Sequence, residues 1–212
     1  MRSEHMGHPH KRKKTEDGRT LHAIERADLA IAHAVAVDGE TRAGQAIRWF
    51  AEAGDQPPLT AIALFTLTAG MIGRDARMTR AGIHMLAAHG LATGIKTLAK
   101  NRIDRTRPND ALDGKGYRLK PGRSKQGPKR SMPSGHSAGL AAVAVASASH
   151  YPAAAPAIAA AAGTVMAAQL PSRNHYASDV IVGGMIGIIS AVATGALIDW
   201  AERRAKRVAG SD

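Results

Sequence analysis

The chain has 212 residues, with 29 Lys and Arg against 17 Asp and Glu, and no cysteine. That length accommodates one domain with a substantial core, and the missing cysteines exclude disulfides, thiolate nucleophiles and Cys-ligated metals. A formal charge of +12 predicts attraction to anions, while an aromatic content of 3% argues against a single-strand-binding surface built on base stacking, so no nucleic-acid partner is expected.

Residues 1–20 carry Lys11-Arg12-Lys13-Lys14 with no apolar stretch behind them, which reads as a disordered basic tail and not as a cleavable signal. His5, His8 and His10 in that tail read as solvated, not as metal ligands. From Leu21 to Phe50 the pattern is amphipathic and helical, with Ile24, Ala27, Ile31, Ala34 and Val35 on one stripe. This segment either skirts a bundle or supplies an irregular first span.

Beyond Pro57-Pro58 come apolar segments over 59–72, 81–98, 135–148, 153–170 and 180–198, all without strand alternation. Their Ala and Gly content suits helices packed closely in a bilayer, although several fall short of the roughly 20 apolar residues of a standard span. The expected fold is all-α: a helical bundle over 21–200, integral to a membrane through five to six hydrophobic helices, followed by a basic C-terminal tail over 201–212. A soluble bundle with an Ala-rich core is the alternative, and a mean hydropathy of −0.19 leans towards it.

Positive charge orients the membrane arrangement. Arg74, Arg77 and Arg80, and the C-terminal Arg203, Arg204, Lys206 and Arg207, read as cytoplasmic. Successive helices then place Lys100 to Pro133 and Pro171 to Asp179 together on the opposite side. For a bacterial-type inner membrane that is the periplasmic face. The stretch from 100 to 130 holds eleven Lys and Arg against three Asp and is punctuated by Gly114, Gly116, Pro121, Gly122, Gly127 and Pro128. It reads as a loop without elements, whose charge either attracts substrate or marks a cytoplasmic side.

Three patches on that side hold the groups needed to grip a phosphate, attack it and protonate its leaving group. Lys100 and Arg107 are almost two helical turns apart, which predicts one helix face bearing both cations until Pro108 ends it. His175 and Asp179 stand at i and i+4, so a helix beginning there lets the carboxylate fix the imidazole tautomer, making His175 a candidate nucleophile. Pro133-Ser134-Gly135-His136 opens an apolar segment, where free amides and the helix dipole favour an anion. Taken singly, each residue also has a bland reading: Lys100 and Arg102 as cations at a helix end, His136 as a helix-start residue, Asp179 as a cap. His33, His84, His89 and His150 match no such pattern and read as packing residues.

The set Lys100-x6-Arg107-Pro108, Pro133-Ser134-Gly135-His136 and His175-x3-Asp179 resembles the type 2 phosphatidic acid phosphatase superfamily, which also includes bacterial acid phosphatases and vanadium haloperoxidases. The resemblance covers roughly 59–198 and implies a metal-independent, cofactor-free hydrolase of phosphoric monoesters or pyrophosphates. In it His175 attacks phosphorus to give a phosphohistidine, Asp179 orients the ring, and His136 is the general acid. Lys100, Arg107, Ser134 and the Gly135 amide would hold the phosphate. An arginine that the family carries six residues before the nucleophile is replaced here by Gln169, so the third phosphate cation is expected from Arg173, from Arg102 or Arg105, or is absent in a weakened member. The expected substrate is a lipid phosphate or polyprenyl pyrophosphate in a bilayer. The alternatives are a soluble acid phosphatase or vanadate-dependent haloperoxidase and, in another class, a non-catalytic protein that binds anionic lipid or nucleic acid.

Overall fold

The computed structural model describes residues 21–209; the expected basic tail over 1–20, with its histidines, lies outside them. The described chain is mostly helical. Its bundle consists of α3 (Gln56–Ile72), α4 (Ala76–Lys100), α6 (Gly135–His150), α7 (Ala155–Ala167) and α8 (Ala177–Ala209), preceded by α1 (Ala23–Val35) and α2 (Arg42–Ala51). The five apolar segments of the sequence thus all become helices. Their shared core is built from small and branched residues, among them Leu59, Ala63, Met85, Ala88, Ala92, Ala138, Val143 and Ala191.

Small residues set the helix spacing. A Cβ at Gly183 would lie 2.4 Å from the Ser134 carbonyl oxygen, and one at Gly187 would lie 2.3 Å from that of Ala138. Glycine at both positions lets α8 touch the α6 backbone, and this contact brings the starts of the two helices together.

Among the described residues α8 is the one helix long and apolar enough to cross a membrane, with 33 residues and a mean hydropathy of 2.2 in its most apolar window. α3 is apolar but shorter. Large apolar side chains nonetheless face outward, including Phe65 and Ile72 on α3, Leu98 on α4, and Ile181, Ile189 and Val192 on α8.

Three sequence expectations are corrected. Residues 21–50 form no single helix: the chain breaks between α1 and α2, whose 13 and 10 residues are each too short to span. The C-terminal segment is not a tail from 201, because α8 stays helical to Ala209 and carries Arg203, Arg204, Lys206 and Arg207 on its last turns. The stretch over 100–130 is not featureless. It contains β1 (Ile103–Arg105), paired antiparallel with β2 (Leu119–Pro121), and the short helix α5 (Pro108–Leu112), so the molecule is not purely α.

Candidate active site

The bundle alternates direction, so the starts of α3, α6 and α8 and the ends of α4 and α7 lie at one end. A cavity of about 310 Å³ opens there, lined by Asp55, Lys96, Lys100, Arg107, His136 and His175 together with Gly54, Gln56, Pro57 and Gly135. Helix starts contribute Gln56 and Pro57 of α3 and Gly135 and His136 of α6, so the positive ends of two helix dipoles face it. Three cations and one carboxylate in so small a volume suit a multiply charged anion.

His136 and His175 face each other with ring centroids 5.8 Å apart. His175 is 1% exposed and precedes α8 by two residues, and its Nδ1 lies 3.8 Å from Asp179 Oδ2. That separation is a through-space contact, not a hydrogen bond, and Nδ1 has no bonded partner. Burial is the main influence on the imidazole and outweighs Asp179, pushing its pKa down to about 4, with Lys100 and Arg107 acting in the same direction. The ring is therefore neutral near pH 7. His136 Nε2 sits 2.7 Å from Asp55 Oδ1. Asp55 makes no cap bond to α3, which leaves its carboxylate to the histidine.

Behind His175 is a buried polar network. Asp179 Oδ2 accepts from Ser131 Oγ at 2.5 Å and from the Tyr176 amide at 3.0 Å, the second being a first-turn carboxylate reaching back to the amide of the residue just before α8. Asp179 Oδ1 accepts from Arg105 Nη1 at 2.6 Å, and Arg105 Nη2 donates to Asp28 Oδ2 at 2.7 Å. Asp28 on α1 also receives the Ser178 amide and hydroxyl. Burial alone would lower the Arg105 pKa, but Asp179 and Asp28 override it and raise it. The guanidinium stacks 4.2 Å over the Tyr176 ring, within a small apolar cluster of Leu21, Leu29, Ala32, Tyr117 and Tyr176.

The family model of the PAP2 superfamily matches residues 81–203 of the 212. The chain belongs to the PAP2 superfamily. Among solved structures it is similar to the transmembrane PAP2-type phosphatidylglycerolphosphate phosphatase from Bacillus subtilis, at 21% identity with a TM-score of 0.62, over 84% of this chain and 88% of that one. It is also similar to LpxE from Aquifex aeolicus, at 18% identity with a TM-score of 0.54, over 82% of this chain and 95% of that one. At these identities the likeness is one of fold. No curated protein sequence gives a significant match.

Of the residues that the sequence pointed to in this PAP2 chain, Lys100, Arg107, Gly135, His136 and His175 meet at the cavity, and Asp179 stands behind His175. The route differs from the expected one. Lys100 and Arg107 do not share a helix face: α4 ends at Lys100, the chain passes through β1, and Arg107 precedes α5, which Pro108 begins and does not end. Backbone carbonyls hold both cations, Arg130 O accepting from Lys100 Nζ at 2.9 Å and Gly127 O from Arg107 Nε at 3.1 Å.

Five residues expected at or near the phosphate lie elsewhere. Ser134 is fully buried as the cap of α6, its Oγ accepting from the Ser137 amide at 3.2 Å. Gln169 is also fully buried and donates to the Ala51 carbonyl at 2.9 Å. Arg173 turns away to pair with Asp113 at 2.5 Å and lines a neighbouring cavity with Arg48 and Asn109. Arg105 serves the network behind His175, and Arg102 lines a separate groove beside β2. Sequence reasoning missed Lys96, Asp55, Asp28 and Ser131. For Lys96 a signal existed, since it stands one turn before Lys100 on the same helix face.

Proposed function

We propose that this PAP2 chain is a membrane lipid phosphatase that releases phosphate from a lipid phosphate or polyprenyl pyrophosphate through a phosphohistidine on His175. The observation that carries the reading is the pair of facing histidines, one buried and neutral, the other bound to a carboxylate, across a cavity lined by Lys96, Lys100 and Arg107. With Nδ1 turned to Asp179, His175 Nε2 is the nitrogen left to attack phosphorus. As the N–P bond forms and the bond to the leaving oxygen breaks, His136 gives that oxygen its proton. Water then attacks phosphorus, His136 takes the proton back, and phosphate departs as the N–P bond breaks. Lys100 and Arg107 hold the equatorial oxygens, and the amide of Gly135 adds the positive end of α6. No step of this scheme calls for a metal.

The outward-facing apolar residues on α3, α4 and α8 favour the membrane reading over a soluble phosphatase, because a water-soluble monomer seldom exposes so many large apolar side chains on its helices. The site then opens at one face of the bilayer, the periplasmic face if the basic turns at the end of α8 and around Arg77 and Arg80 are cytoplasmic. Phosphate release by purified protein in detergent, with chelator present, tests the reading on phosphatidic acid, phosphatidylglycerol phosphate and a polyprenyl pyrophosphate. Turnover that disappears in His175→Ala supports it, together with an acid-labile, alkali-stable phosphoenzyme. Turnover that survives in His175→Ala refutes it.

A further inference from the structure

Lys96 has no place in the scheme above, yet it lines the same cavity as the two phosphate cations. It stands one turn earlier on α4 than Lys100, about 6 Å farther from the open end along the helix axis. Its ammonium lies over the start of α6: a Cβ on Gly135 would come within 2.9 Å of Lys96 Nζ, so the glycine leaves the room that the ammonium occupies. Lys100 is held by the Arg130 carbonyl and Arg107 by that of Gly127, whereas Lys96 has no hydrogen-bond or ion-pair partner among the described residues. Its charge belongs to the His136 side. The charges acting on His136 are Asp55, Arg107, Lys100 and Lys96, whereas those acting most strongly on His175 are Asp179, Lys100 and Arg107.

An in-line displacement puts the leaving group opposite the attacking nitrogen, on the side of the residue that protonates it. Lys96 is therefore placed to meet what leaves, not the phosphoryl group that His175 takes. It is also deeper in the bundle, where the lipid end of a substrate would lie. Asp55 cannot neutralise it fully, because that carboxylate is engaged by His136 at 2.7 Å.

We infer that Lys96 binds a second anionic group, one that stays with the lipid after hydrolysis, and so selects substrates whose leaving group is itself a phosphate or phosphodiester over those that leave as a neutral alcohol. The inference rests on the phosphatase reading for its catalytic form. A diphosphate leaves as a lipid monophosphate, and its bridging oxygen carries the proton from His136 while the phosphate behind it meets Lys96. Phosphatidic acid leaves as a neutral diacylglycerol and gives Lys96 nothing to bind.

The test compares farnesyl diphosphate with farnesyl monophosphate in mixed micelles, for wild type, Lys96→Gln and Lys96→Arg. In Lys96→Gln the ratio of kcat/KM for diphosphate over monophosphate should fall about 10- to 100-fold, the range for one charge-assisted contact. Lys96→Arg should restore most of it, which also shows that the site still folds around a changed side chain. An equal loss on both substrates, or no loss on either, overturns the assignment. Binding supplies a readout without turnover: farnesyl methylenediphosphonate, which cannot be cleaved at the bridge, should lose about tenfold more affinity in Lys96→Gln than farnesyl phosphonate. If neither ester is hydrolysed by wild type, the phosphatase reading fails, and a selective loss of diphosphonate binding still upholds Lys96 while an unselective one removes it.

Discussion

The two ends of the bundle each hold a histidine pair in a cavity, and their difference lies in the charge around the rings. At the far end a cavity of about 410 Å³ is lined by Arg80, His84, Ser149, His150 and Asp199. There His84 is hydrogen-bonded on both nitrogens, to His150 at 3.2 Å and to the Ala191 carbonyl at 2.8 Å, and Arg80 is consumed by Asp199 and Glu202. At the near end three cations face one carboxylate, and each histidine has a single carboxylate neighbour. A histidine bonded on both nitrogens, as His84 is, makes a packing contact. The same kind of pair becomes a candidate reactive site when positive charge is left in excess and the buried ring, His175, keeps its nitrogens free of hydrogen bonds among the described residues.

That contrast breaks most sharply by mutation of the two ends in parallel. His175→Ala should reduce phosphate release by at least about 10⁴-fold, while His84→Ala should leave it within about threefold, as followed by initial rates on a lipid phosphate. Comparable losses in both variants would mean that the ends do not differ as described. The next largest effect is on stability. Arg105→Met leaves Asp28 and Asp179 buried without their cation, which should lower unfolding stability by about 3–5 kcal/mol, read by chemical denaturation in detergent. Removal of one exposed cation should do far less.

Arg107→Ala should lower kcat by about 10²-fold, the usual effect of losing one donor to a developing charge, whereas Arg80→Ala should change kcat by less than about threefold. The mildest test is pH. Since burial lowers the His175 pKa from 6.5 to about 4, the imidazole is neutral above pH 4, and on the proposed mechanism the acid limb in kcat/KM should appear near 4 and not near 6.5. The linked stability follows the same sign. Between those two values the unfolded chain binds a proton that the folded one refuses, so stability should fall as the pH drops from 6.5 to 4 and level off below. An acid limb near 6.5 would indicate a solvated His175.

How much of this was legible in the sequence differs between residues. The five bundle helices α3, α4, α6, α7 and α8 were readable because long apolar runs without alternation leave few other choices, and the cavity residues Lys100, Arg107, His136 and His175 were readable because their spacing is distinctive. The break between α1 and α2 was harder to read, since residues 36–41 hold no proline and only Asp38-Gly39 marks the turn. Arg105 and Arg173 could not be told apart as cations until β1 and the turn after α7 fixed which carboxylate each would meet. A serine beside a glycine at a helix start can either cap the helix or bind an anion, so sequence alone leaves both roles open to Ser134, and the backbone geometry chooses the cap. Asp28 and Asp55 carried no local pattern at all, as their partners lie 77 and 81 residues away.

The reach of Asp28 also bears on what counts as the working unit of this protein. The region matching the superfamily model starts at residue 81, yet Asp28, Asp55 and Leu59 precede it and supply a counterion for Arg105, a partner for His136 and part of the bundle core. A chain trimmed to 81–203 would keep every motif residue and still lose the clamp that α1 places on the first turn of α8. In evolutionary terms the recognisable segment can drift in its N-terminal supports only where another residue reaches the same guanidinium, so length variants of this fold should differ most in how that clamp is rebuilt.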